Sequence, residues 1–119
     1  MKKFALFVLL MLTVAGYAHA EDKHYIDRYK PKALKGDYQA QRNLAYTYAT
    51  SRDQFVSNPM LGCAWYQLII LSGSEKIGPG DISNVHVYCG KLPSDEQTVA
   101  EQQAKRLYEE IYLGRKRQP

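Results

Sequence analysis

Apolar positions recur along this chain with the period of a helix. From Asp37 to about Ser51, the residues Gln41, Leu44, Ala45 and Tyr48 fall at i, i+3, i+4 and i+7, which places them on one helical face. Gly36 suits the left-handed stop of a preceding helix, and Asp37 suits the N-cap of this one. That preceding helix is expected over about 24–35, with Pro31 in its first turn or kinking it. Residues 52–57 form a polar connector whose Phe55 and Val56 are expected to tuck back onto the core. Asn58-Pro59 then reads as an N-cap followed by proline at the first helical position, where no amide hydrogen is missed. Leu61, Ala64, Trp65 and Leu68 repeat the helical spacing up to Gly73. Ile69 and Ile70 widen the apolar arc, so this helix is expected to be the most buried.

Gly73 to Gly80 reads as a turn. Ile82, Val85 and Cys89 then predict a short helix ending at Gly90. Ser94 to Gln97 has the form of a capping box, a serine hydroxyl with a glutamine three residues on. Ala100, Ala104, Leu107, Tyr108 and Ile111 continue one stripe until Gly114. Val85 to Tyr88 is β-prone but too short to seed a sheet. The pattern predicts an all-α fold of about five helices in antiparallel pairs.

The ends of the chain change the picture. Residues 1–20 combine Lys2 and Lys3, an apolar run from Phe4 to Val14, and Ala18-His19-Ala20; together these read as a secretory signal peptide with its cleavage site. The expected division is a signal peptide at 1–20, one helical domain at 21–114 and a solvated basic tail at 115–119. A chain of 119 residues has no room for a second core. After cleavage no apolar run reaches the roughly 20 residues that span a bilayer. An exported, periplasmic protein without stable membrane insertion is therefore expected.

Charge gives little support for a nucleic-acid partner. The formal +4 includes Lys2 and Lys3, and three more basic residues sit at Arg115, Lys116 and Arg117. Residues 21–114 carry 11 basic and 12 acidic groups, so the folded body has no basic excess. The two cysteines, Cys63 and Cys89, are expected to pair in an oxidising compartment. The rival reading, a thiol activated by His86 three residues away, would need that histidine as its partner. Beyond residue 20, two histidines, His24 and His86, and one bridge leave too few ligands for zinc, and no cofactor motif is present, so neither a metal nor a cofactor is expected. The chain lacks HExxH, GxSxG and phosphate-loop signatures. The adjacent carboxylates Glu109 and Glu110 point to different parts of a helix surface.

Ala40-Gln41-Arg42-Asn43-Leu44-Ala45-Tyr46-Thr47-Tyr48 resembles the first-helix signature of Sel1-like repeats, which are related to tetratricopeptide repeats. Trp65-Tyr66 and Gly73 stand at the spacing of the second helix. Ala45 replaces the family's usual glycine, Asn58 its aspartate, Gly62 an alanine, and Ile69-Ile70 a pair of alanines; the glycine-rich connector is missing. The resemblance covers about 33–73 and implies a short α-solenoid that binds proteins rather than an enzyme. Bulky isoleucines at alanine positions imply a wider helix gap or a repeat adapted to stand alone. A Cys63–Cys89 bridge would compensate for the missing stack of neighbours.

Tyrosine is abundant, with nine beyond the first 20 residues. Tyr48 is central to the apolar stripe, whereas Gln39, Arg42 and Tyr46 form a separate stripe about 100° to 160° away. In the family's arrays the first helices line the concave face, so Gln39, Arg42 and Tyr46 are the expected partner-binding residues. The resulting expectation is a periplasmic protein-interaction module, in its sharpest form an immunity protein that occludes a toxic effector. The alternatives are an adaptor or regulator of envelope enzymes, a small cell-wall hydrolase using Glu75 and Asp81, or a structural protein that self-associates through exposed tyrosines.

Overall fold

The computed structural model describes residues 21–115. The expected signal peptide at 1–20 and most of the basic tail lie outside that range. The described chain is all-helical: α1 covers 21–34, α2 Tyr38–Thr50, α3 Pro59–Ser72, α4 Pro79–Gly90 and α5 Ser94–Tyr112. No strand occurs among the described residues.

Local chemistry sets most of the boundaries. Gly36 takes φ 93° at the turn between α1 and α2, and Asp37 accepts the Ala40 amide at 2.8 Å. Asn58 caps α3 by accepting the Leu61 amide at 3.1 Å, with Pro59 following it, and Gly73 closes that helix at φ 66°. Gly114 stands just past the end of α5, also at φ 66°. Three expectations are corrected. Pro31 lies in the last turns of α1 rather than the first. Helix α4 starts at Pro79, earlier than the apolar spacing suggested, because Asp81 accepts the Gly78 amide at 3.0 Å. The serine box at α5 does not form: Pro93 is the N-cap, and Gln97 donates instead to the Leu92 carbonyl at 2.8 Å.

Helices α1 and α2 are antiparallel, since Asp22 meets Ser51 at one end and Ala33 meets Gln41 at the other. Helix α3 is the hub, packing on α2, α4 and α5. It buries seven residues, among them Trp65, Leu68 and Ile69. Ala100, Ala104 and Leu107 of α5 close the other side of the core. The Cys63–Cys89 disulfide joins α3 to α4, and Tyr66 stacks on Tyr88 beside it at 5.1 Å between centroids. Gln41 holds a polar position on the apolar stripe. Its Nε2 donates to the Ala33 carbonyl and to the Tyr112 hydroxyl, each at 3.1 Å, which ties the α1–α2 turn to the end of α5.

Helices α2 and α3 come close together at Gly62. A Cβ there would lie 2.8 Å from both the Ala49 Cβ and the Ala49 amide nitrogen. Because backbone is among the contacts, one helix would have to move. Gly62→Ala is expected to lower stability by about 1–3 kcal/mol. The check is the urea midpoint; an unchanged or raised midpoint would show that the two helices separate freely.

Candidate functional site

A groove of about 710 Å³ runs between α1 and α2. The helical period builds it: Tyr25 and Tyr29 lie one turn apart on α1, and Asn43, Tyr46 and Thr50 follow at i, i+3 and i+7 on α2. Tyr25 and Tyr29 stack with centroids 5.9 Å apart and planes 9° apart. Ser51 closes one end by donating to Asp22 at 2.7 Å. The hydroxyls of Thr47 and Thr50 donate to the helix carbonyls of Asn43 and Tyr46 at 2.8 and 2.7 Å, so they bond to backbone rather than into the groove.

The three residues expected to bind a partner are divided by the structure. Tyr46 is 57% exposed and lines the groove. Gln39 is exposed and donates to Asn43, a groove residue, at 3.1 Å. Arg42 leans to the other side of α2, where its Nε lies 3.2 Å from Oδ1 of the buried Asp81. The α1 tyrosines were legible as an i, i+4 pair but carried no family signature to draw them out.

Phe55 overturns its expected burial. It is 90% exposed, while its neighbour Val56 is 7% exposed and packed inward. Asp53 accepts the Phe55 amide at 2.9 Å, and its carbonyl accepts the amides of Val56 and Ser57. This tight turn aims consecutive side chains in different directions, so only one of the two can reach the core. The exposed phenyl ring stands on the connector that supplies Arg52 and Asp53 to the groove.

Asp81 is 2% exposed and belongs to the scaffold. Its Oδ2 accepts from the Tyr38 hydroxyl at 2.5 Å and from the Gly78 amide at 3.0 Å. The Arg42 guanidinium lies over the Tyr38 ring at 5.6 Å. Neither Arg42 Nε nor Asp81 Oδ1 has an aligned hydrogen bond, so their contact is an ion pair held by charge rather than by direction. Glu75 is exposed, and neither it nor Asp81 lines any of the three cavities described.

Burial also fixes the protonation of several tyrosines. The Tyr66 hydroxyl is held well above the ordinary phenol range, first by burial and then by Tyr88; Tyr48 is raised by burial and then by Asp27. Tyrosines of an unfolded chain ionise near pH 10. Above that pH the unfolded state loses protons that the folded state retains, so stability is full below about pH 10 and falls as pH rises past it. Urea midpoints at pH 8 and 11 test this, with Tyr66→Phe expected to flatten the fall. Equal midpoints at the two pH values would refute it.

A second, apolar groove of about 270 Å³ is floored by Ile70 and Leu71 of α3 and walled by α4 and α5. Ile82, part of the apolar spacing that predicts α4, is 53% exposed there. It lies on the same face of α4 as Cys89, two turns earlier, where it lines this groove instead of being packed. His86 is exposed on the same wall. No known family model, curated protein or solved structure matches this chain.

Proposed function

We propose that this protein is an exported helical module that binds a protein partner in the groove between α1 and α2. The observation that carries the reading is the aromatic surface: Tyr25 and Tyr46 are 37% and 57% exposed in the groove, and Phe55 is 90% exposed on the adjoining connector. Large rigid aromatics left in water are the residues that anchor protein interfaces when desolvated. The disulfide and the signal-like residues 1–20 support an oxidising, periplasmic setting. Likeness of residues 33–73 to Sel1-like repeats supports protein binding as the kind of activity. In its sharpest form the module is an immunity protein whose groove occludes a toxic effector.

The test is capture by cross-linking in the periplasm, comparing the wild type with Tyr46→Ala/Phe55→Ala. Both residues are largely exposed, so the double variant is expected to keep the wild-type stability, read from urea unfolding, within about 0.5 kcal/mol. Partner capture is expected to fall at least tenfold. Capture retained by the folded double variant would remove the groove from the reading. The apolar groove on α3 favours a second reading, an adaptor that holds two partners at once, one in each groove. Protection of cells from a single co-expressed effector by the wild type, lost in the double variant, separates immunity from that adaptor role.

A further inference from the structure

We infer that the groove between α1 and α2 takes an arginine-bearing segment of the partner, an inference that rests on the binding reading above. The most exposed rings in the groove are Tyr25 and Tyr46; Tyr29 already has Tyr25 stacked on it and Arg28 over it at 5.8 Å. Around these rings stand Glu21, Asp22 and Asp53. Each accepts a neutral donor within the chain: Tyr25 on Glu21, Ser51 on Asp22 and the Phe55 amide on Asp53. Among the described residues, none of the three forms an ion pair with a basic side chain.

The end of α2 adds to the same sign. Thr50 and Ser51 bring the C-terminus of that helix to the groove, where the helix dipole is negative, and its last turn contains no basic residue. Arg52 offsets one carboxylate. Cleavage after Ala20 would place an α-ammonium at Glu21 and offset another, which still leaves the groove negative.

The same molecule contains a filled version of this arrangement. In it the Arg42 guanidinium lies over the Tyr38 ring and is paired with Asp81. In the groove, among the described residues, no guanidinium lies over the Tyr25 or Tyr46 ring, and the neighbouring carboxylates form no ion pair. A planar guanidinium suits it better than an ammonium, because it can stack on a tyrosine while pairing with a carboxylate at its edge.

The experiment is an amide-shift NMR titration of the purified, disulfide-bonded protein with a capped Gly-Arg-Gly-Arg-Gly peptide, beside its citrulline counterpart. Citrulline keeps the shape and removes the charge. Saturable shifts are expected at Tyr46, Thr47, Thr50 and Asp53, with the citrulline peptide at least threefold weaker. Asp22→Asn/Asp53→Asn preserves both acceptor roles and is expected to erase the preference while leaving core amide shifts in place. Equal binding of the two peptides in the groove would overturn the cationic inference and leave the binding module standing. Shifts on the α3 groove, or none at all, would also overturn it, and the binding reading would then be judged by its own capture experiment.

Discussion

Serine at both Cys63 and Cys89 is expected to lower stability by about 3.5 kcal/mol and to release α4 before the rest of the fold. The size follows from the unfolded chain, in which a bridge spanning 26 residues removes loop-closure entropy. Against a typical net stability of about 5–15 kcal/mol, that is a large fraction. The place follows from how little α4 buries. Its only buried residues are Asp81 near the start and Cys89 near the end, whereas α3 buries seven. Helix α4 is therefore fastened at one end by an ion pair to α2 and at the other by a covalent bond to α3. Losing the covalent end leaves that half of the helix held by the Tyr66–Tyr88 stack and partial burial of Val85, with Asp81 still fastening the other end. Urea unfolding gives the global loss, and hydrogen exchange gives its location. If α4 amides in the double serine variant stay as protected as those of α3, the disulfide is not what holds that helix.

The helices were legible because each is announced by chemistry local to it. Asp37, Asn58 and Gly73 mark boundaries through bonds that reach no further than three residues, or through a positive φ that suits glycine. The core face of α2 was legible for the same reason, down to Gln41, whose polarity is accommodated by two acceptors the sequence could not name. What stayed hidden depends on distant partners. Nothing next to Asp81 in sequence marks it for burial; Arg42 and Tyr38, about 40 positions earlier, enclose it. Ile82 fits an apolar stripe and shares the face of Cys89, but it lines an open groove between α3, α4 and α5 that the stripe alone does not show. Gly62 stood out only as an exception to a repeat pattern, and its reason is the backbone of Ala49.

The candidate site was half legible. Tyr46 emerged from helical geometry as lying off the packed stripe, and it lines the groove. Arg42 shares that sequence spacing, yet a long side chain can turn to either side of its helix, and a buried carboxylate decides which. Phe55 was missed because hydrophobicity alone says that it should be inside. The turn made by Asp53 leaves room for only one inward side chain, and Val56 takes it.

Arg42→Ala is expected to lower stability by about 2–3 kcal/mol, although the residue lies on the helix that also carries the groove. Truncation would leave the Asp81 carboxylate, 2% exposed, with the Tyr38 hydroxyl and the Gly78 amide but no opposing charge. The figure sits below the usual range for a broken buried pair because Arg42 is itself 37% exposed, so water can approach from its side. Arg42→Ala/Asp81→Asn is expected to recover about 1 kcal/mol or more. The asparagine oxygen can still accept from Tyr38 and Gly78, and no charge is left buried. Urea midpoints of the two single variants and the double variant close the cycle. A double variant no more stable than Arg42→Ala would mean that the guanidinium acts by packing on Tyr38 rather than by charge. The same cycle bears on function, because Arg42→Ala loosens the start of α4 and any loss of partner capture in that variant has two causes. Gln39→Ala has one: the side chain is exposed and, among the described residues, bonded only to Asn43, so its effect on capture reports the α2 surface without disturbing the scaffold.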